Sequence, residues 1–301
     1  MKTEEAKMSS VSIVGIRGAG KTTSLGLLHE GLTALANRNK NFQFVADLKA
    51  AGYLYDIVGK LRRGDWPEAT VEATQEEVKF KLRFKKPLGW RDVDIDSYDI
   101  SGEDIEQALE SMKKARSIQQ IIADLRDRKA LAAILNSDVF IFVVDSMVCD
   151  PTHSKESEAK KADHDLHLAH LCLALQEYQN KARRNIKALA IIFAKYDMTE
   201  SFLPLGKADY YSIESKELFI ESEKELEKDS RAFEDVVKAY LPTTYDNLVY
   251  TLRNVIPKSL KYFRSGITMK YDEQTGKSNI ALPLEFTAAE YIRIARWLSE
   301  L

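Results

Sequence analysis

Gly15-Ile16-Arg17-Gly18-Ala19-Gly20-Lys21-Thr22 follows the apolar run of residues 11–14, and a helical pattern opens at its last residue. The stretch matches GxxxxGKT at every fixed position, and Thr23 comes directly after it. Glycines at the end of a strand let several backbone N–H groups point into one concavity, which the positive end of the next helix also faces. The sequence therefore predicts a phosphate-binding loop over residues 15–23.

Two side chains of this loop have separate expected roles. Lys21 adds a positive charge for the β and γ phosphates of a nucleoside triphosphate, and the Thr22 hydroxyl is placed to ligate Mg²⁺. Arg17 either reaches the γ-phosphate or projects to solvent. The predicted ligand is a nucleoside triphosphate with Mg²⁺.

Composition narrows the class of protein. The chain has 301 residues and 45% hydrophobic content, so it can bury a large core. Its net charge is −2, so the protein as a whole has no positive electrostatic field that would attract nucleic acid. Two cysteines exclude a disulfide framework and favour a reducing compartment, so the expected location is cytoplasmic. The longest apolar run, residues 139–144, is too short to span a bilayer.

Strand patterns alternate with helical patterns along the chain. This alternation predicts an α/β fold with a doubly wound, mainly parallel sheet and one antiparallel edge hairpin. We expect a flexible tail over residues 1–8 and a P-loop, GTPase-like domain over residues 9–301. The expected helices cover residues 21–37, 47–62 and the C-terminal end, the strands residues 78–84, 93–100, 139–144, 186–194 and 260–263, and the helical insertions about 103–135 and 200–255.

The predicted hairpin is basic and aromatic between residues 80 and 91. Its lysines are typical of a solvated edge strand that resists pairing with other chains. Contact with nucleic acid or lipid headgroups is the alternative, and peripheral membrane contact stays open on this basis.

A second motif, Asp99-Ile100-Ser101-Gly102, lies at the end of the second hairpin strand. The Asp99 carboxylate leaves a strand end, where a group that helps to hold Mg²⁺ belongs. Gly102 has no side chain, so its N–H can approach a γ-phosphate and order the loop while the triphosphate is bound.

A third motif, Lys195-Tyr196-Asp197, follows the apolar strand that ends at Ala194. The Asp197 carboxylate can accept hydrogen bonds from the N1–H and the N2 amine of guanine, which adenine does not offer. The Lys195 stem can lie over the purine ring, and Ser265 can add a contact near the guanine O6. This motif favours GTP over ATP.

These motifs in this order resemble the Ras-like and translation-factor (TRAFAC) class of P-loop GTPases. The resemblance implies a molecular switch that binds GTP and GDP with Mg²⁺ and engages a protein effector or regulator. It implies switch loops near residues 64–75 and 99–106. Thr70, with Thr74 as its rival, would then join Thr22 and Asp99 at the metal, and Lys21, Gly102 and Glu103 would form the catalytic set.

The chain departs from this class at three positions, one of which is Arg17, where many relatives have glycine. Ala194 stands where the base motif usually begins with Asn or Thr, which removes a tether to the phosphate loop and predicts weaker guanine affinity. Glu103 stands where a water-orienting glutamine is frequent, so we expect slow hydrolysis. A non-hydrolysing GTP-binding scaffold and an ATP-dependent P-loop protein remain alternatives, whereas Asp99 and Gly102 argue against a small-molecule kinase.

Overall fold

The computed structural model describes a central β-sheet and the helices that pack on it. The predicted tail and the insertion at 103–135 lie outside the described residues, and the insertion at 200–255 falls among them only in part of 231–247. The described residues are 9–15, 18–67, 76–99, 137–149, 161–162, 165–166, 169, 186–195, 231, 234–235, 237–243, 245–247, 260–267, 269–274, 277–280 and 289–301.

The elements follow the predicted alternation of strands and helices. A 3-10 helix, Ser146–Cys149, follows the fifth strand. The strands are β1 (Ser9–Gly15), β2 (Phe42–Ala46), β3 (Glu76–Lys86), β4 (Gly89–Asp99), β5 (Val139–Asp145), β6 (Ala188–Ala194), β7 (Leu260–Arg264), β8 (Met269–Asp272) and β9 (Lys277–Ile280), and the helices are α1 (Lys21–Arg38), α2 (Leu48–Arg62) and α3 (Ala289–Glu300).

Seven strands form one sheet in the order β2-β3-β4-β1-β5-β6-β7. β1 pairs in parallel with β4 and β5, and β6 pairs in parallel with β5 and β7. β3 runs antiparallel to both of its neighbours, β2 and β4. The predicted α/β fold, with a mostly parallel sheet and an antiparallel hairpin towards one edge, is confirmed.

The central strands are buried on both faces. In β5, the neighbours Phe140 and Ile141 point to opposite faces of the sheet, yet both are 0% exposed. The same holds for β6, in which Ile192 and Phe193 are 1% and 0% exposed. Continuous apolar runs are the pattern expected of strands covered on both sides, which is why the sequence predicted these strands closely.

β2 is a strand that the sequence did not predict, and it changes the position of the hairpin. It pairs along the outer side of β3, with Phe42 opposite Phe84 and Phe44 opposite Leu82. The Phe42 and Phe84 ring centroids lie 5.2 Å apart, so cross-strand aromatic packing stabilises the pair. The interpretation of the hairpin lysines as an edge-strand device was therefore wrong, because β2 and not β3 occupies the edge.

α1 and α2 pack closely on one face of the sheet. A Cβ added at Gly26 of α1 would lie 2.5 Å from Ile57 Cγ2 of α2, so only glycine permits this approach. Arg62 of α2 donates to Glu30 of α1 over 2.6 Å. α2 begins where Asp47 caps it, since the Asp47 carboxylate accepts from the Ala50 N–H at 2.7 Å. None of the helices in the described part of the chain is both long and apolar enough to cross a bilayer.

Candidate nucleotide site

Residues 18–20, the described part of the loop between β1 and α1, have a backbone suited to a phosphate cradle. Gly18 and Gly20 adopt φ values of +72° and +89°, a left-handed region that L side chains rarely enter. Gly20 is the N-cap residue of α1 and has no side chain with which to cap the helix. The first N–H groups of α1 are therefore presented with the positive end of the helix dipole, an arrangement that favours an anion.

Two glycines of this loop are required by close approach to neighbouring strands. A Cβ at Gly15 would lie 2.8 Å from the Val143 carbonyl oxygen of β5. A Cβ at Gly20 would lie 3.3 Å from the Ala194 Cβ at the end of β6. The loop is therefore seated directly on the carboxyl ends of β5 and β6.

The side chains of residues 19 and 21–23, in the described part of the loop and the first turn of α1, are buried or half-buried. Ala19 is 1% exposed and Lys21 is 7% exposed, while Thr22 and Thr23 are half-buried in the first turn of α1. Lys21 is therefore held within the site at the start of α1, which is compatible with the role predicted for it. Arg17 lies outside the described residues.

The strand that carries the second motif ends beside the phosphate loop. β4 runs parallel to β1 with Val11 opposite Ile95, and four residues further along the two strands reach Gly15 and Asp99. The backbone of Asp99 is thus at the same edge of the sheet as the loop. The remaining predicted residues of the switches, Thr70, Thr74, Gly102 and Glu103, lie outside the described part of the chain.

β6 leads directly into the predicted base-reading segment. Lys195 adopts a φ of +57°, an uncommon conformation for a residue with a side chain, and turns the chain sharply after Ala194. The Lys195 Nζ donates to Asp145 Oδ2 at 2.5 Å. Asp197 lies outside the described residues.

β5 contributes side chains that the sequence argument missed. The second carboxylate oxygen of Asp145 accepts from the Met147 N–H at 3.0 Å, which fixes the carboxylate towards Lys195. The Ser146 hydroxyl donates to the Ala194 carbonyl oxygen at 2.6 Å. Asp145 ends a buried strand and Ser146 begins the 3-10 helix that follows it, at the edge where α/β proteins bind ligands, a signal that was present in the sequence.

Ser265 is buried at the exit of β7. Its N–H donates to the Phe193 carbonyl oxygen at 2.7 Å, and its hydroxyl accepts from the Tyr291 hydroxyl of α3 at 2.9 Å. Tyr291 is 1% exposed. Burial raises the pKa of Tyr291 to about 12, while its hydrogen bonds with Ser24 and Ser265 act in the opposite direction. Tyr291 therefore links α1, which carries the phosphate loop, to the exit of β7.

The ends of β1, β4, β5, β6 and β7 thus meet at one edge of the sheet, with the glycine loop at the centre. A family model described as Double-GTPase 1 matches residues 12–204 of the chain. The chain belongs to the Double-GTPase 1 family.

Membership places the protein among the P-loop GTPases and assigns it GTP as a ligand. The matched residues include the phosphate loop, the Asp99 motif and the Lys195 motif, whereas Ser265 and Tyr291 lie beyond them. A comparison with curated proteins finds no match for this member of the Double-GTPase 1 family.

Proposed function

We propose that this Double-GTPase 1 member is a GTP-binding molecular switch of the Ras-like and translation-factor class. It binds GTP with Mg²⁺, hydrolyses it slowly, and changes the order of residues 64–75 and 99–106 between its two states. The observation that carries the proposal is the glycine loop, in which Gly18 and Gly20 adopt left-handed conformations at the amino end of α1. Five parallel strands end at the same edge of the sheet as that loop, and family membership supplies the nucleotide.

The residues beside the loop suit a magnesium ion. Thr22 offers a hydroxyl in the first turn of α1, and the Asp99 backbone lies at the neighbouring strand end. Oxygen ligands of this kind are what Mg²⁺ prefers, and Thr70, or Thr74, would complete the set. When bound, Mg²⁺ neutralises charge on the β and γ phosphates, and Lys21 supplies a further positive charge there.

Hydrolysis in this proposal is slow. The Gly102 N–H holds the γ-phosphate, whereas Glu103 replaces the amide that would orient the attacking water. A carboxylate beside a triphosphate repels it and disfavours the buildup of charge on the γ-phosphate. Of the two roles open to Arg17, contact with the γ-phosphate would offset part of this repulsion, whereas projection to solvent would not.

Guanine selection is assigned to Asp197, with Lys195 and Ser265 beside the base. The ion pair between Lys195 and Asp145 supports this assignment, because it holds the lysine at the edge of the sheet next to the glycine loop. Ser265 is hydrogen-bonded to Tyr291 and to the backbone of β6, so its segment is also held at this edge.

Nucleotide titrations test the proposal. The unmodified protein is expected to bind GTP and GDP with Mg²⁺ in preference to ATP, and Lys21→Ala to abolish binding. Lys187→Ala is the matched control. Lys187 pairs with Asp138 at 3.0 Å where β5 and β6 begin, at the opposite end of the strands from the glycine loop. Asp197→Asn is expected to lose the preference for guanine. Equal affinity of the unmodified protein for ATP and GTP would overturn the guanine assignment and favour an ATP-dependent protein.

Single-turnover phosphate release separates a switch from a scaffold. A slow release that depends on Mg²⁺ supports the switch, and Glu103→Gln is expected to accelerate it. Release at background in both proteins, with GTP bound, would establish the non-hydrolysing scaffold instead.

The assignment of residues 9–301 to one domain stays a prediction.

A further inference from the structure

One end of the molecule carries a cluster of positive charge around an exposed apolar turn. β3 and β4 are joined by only two residues, Pro87 and Leu88, because Lys86 pairs with Gly89. The turn after α1 lies against this hairpin, since the Lys85 N–H donates to the Asn41 carbonyl oxygen at 2.8 Å. We call the combined surface the basic tip, and its residues are Arg38, Lys40, Lys85, Lys86, Leu88, Trp90 and Arg91.

The basic tip combines apolar and cationic exposure. Leu88 is 103% exposed and Trp90 is 39% exposed. The segments 37–41 and 85–91 contain no acidic residue. The first carboxylate beyond them, Asp92, is already engaged by Arg83 at 3.1 Å and Lys81 at 3.6 Å. The two segments therefore carry five cationic residues, Arg38, Lys40, Lys85, Lys86 and Arg91, and no carboxylate of their own.

The basic tip points away from the nucleotide site. β4 begins at Gly89 in the tip and runs parallel to β1, whose far end carries the glycine loop. Arg38 is likewise the last residue of α1, the helix that begins at the loop. A surface bound at the tip would thus leave the nucleotide site open to other partners.

We propose that the basic tip docks the protein on anionic lipid bilayers, with Leu88 and Trp90 in the interfacial layer and the surrounding lysines and arginines on the headgroups. Apolar side chains flanked by cations fit an interface that is apolar within and negative outside. The net charge of the whole chain is −2, so attraction depends on this local cluster and should weaken steeply with salt.

Lipid fits the tip better than nucleic acid does. The Arg83 guanidinium lies 5.5 Å from the centroid of the Trp90 ring and covers one of its faces. Proteins that bind single strands offer open aromatic faces on which bases stack, along a groove. A convex two-residue turn with a partly covered tryptophan offers neither, whereas it is suited to shallow insertion.

Sedimentation with vesicles tests the proposal. The protein is expected to bind vesicles of phosphatidylcholine with about a third phosphatidylserine at low salt, and to bind pure phosphatidylcholine vesicles weakly. Lys85→Gln is expected to lower the lipid partition coefficient about fivefold, the effect of about 1 kcal/mol for one cation at an anionic surface. Lys49→Gln is the matched control, because Lys49 is exposed at the start of α2, just after β2 ends, whereas the basic tip lies where β2 and β4 begin.

Insertion is measured separately from attraction. A Trp66→Phe variant keeps Trp90 and Trp297, and Trp297 is 3% exposed, so brominated lipids are expected to quench only the Trp90 part of the emission. Leu88→Ser is expected to reduce both quenching and binding. The side chains replaced at positions 85 and 88 are exposed, so both variants should fold, and circular dichroism checks this. Three outcomes would each overturn the proposal. They are equal binding to neutral and anionic vesicles, equal losses of binding for Lys85→Gln and Lys49→Gln, and binding to single-stranded oligonucleotides in place of vesicles.

Discussion

Tyr291→Phe tests whether the C-terminal helix sets the geometry of the nucleotide site. The change removes one hydroxyl that is hydrogen-bonded to Ser265 at 2.9 Å and also to Ser24. A buried hydrogen bond contributes about 1 kcal/mol, so loss of both should lower the free energy of unfolding by about 2 kcal/mol. Ser24 lies on the helix that carries the phosphate loop and Ser265 follows β7, so the nucleotide should sense part of this loss.

If about half of that energy reaches the bound nucleotide, 1 kcal/mol corresponds to roughly fivefold faster GDP dissociation. The assay is the release of a fluorescent GDP analogue into excess GTP, measured beside thermal unfolding. Tyr262→Phe is the control. Tyr262 is also buried, but it faces the other side of β7 from its neighbour Phe263, whose ring packs on Trp297 of α3. A lower melting temperature with unchanged GDP dissociation in Tyr291→Phe would reduce Tyr291 to a purely structural residue and refute the reasoning.

Two further predictions concern α1 and its neighbours. Gly26→Ala should destabilise the protein by about 1–2 kcal/mol in urea unfolding, because overpacking against Ile57 outweighs the gain in helix propensity. Gly52 has open space at its Cβ, so Gly52→Ala should stabilise the protein by about 0.5–1 kcal/mol in the same assay. Burial lowers the pKa of His29 from 6.5, so the unfolded chain takes up a proton that the folded protein resists, and stability should fall as pH drops below 6.5. His29→Phe should flatten that part of the curve, and a wild-type curve no steeper than the variant's would show that His29 is not responsible.

The parts of the fold that the sequence predicted are those with local signals. The glycine pattern of residues 15–22 and the unbroken apolar runs of β5 and β6 each carry enough information by themselves. β2 carries little, because it has only five residues and two of them, Gln43 and Val45, are exposed. Its stability comes from pairing with β3, about 40 residues away, and no short window of sequence contains that pairing.

In the candidate nucleotide site too, the sequence predicted the features with local signals and missed the contacts between distant residues. The predicted glycines could be read from their spacing, whereas the ion pair of Lys195 with Asp145 and the bond of Tyr291 with Ser265 join residues far apart in the chain. Those contacts depend on the strand order β1-β5-β6-β7, which alternation of elements alone does not determine. The strand-end rule indicates which residues reach the edge, but not which of them pair.

Ala194 shows how the structure changes the meaning of a sequence departure. From the sequence, alanine removes a side chain that ties the base segment to the phosphate loop. In the structure, the Ala194 Cβ lies beside the phosphate loop, 3.3 Å from where a Cβ on Gly20 would stand. The start of the predicted base segment is instead held from the end of β5 and the 3-10 helix after it: the Ser146 hydroxyl donates to the Ala194 carbonyl oxygen, and Asp145 accepts from Lys195. We infer that the contacts of Ser146 and Asp145 replace the side-chain contact that Ala194 cannot make. Ser146→Ala should therefore weaken guanine nucleotide binding more than Ala194→Ser does.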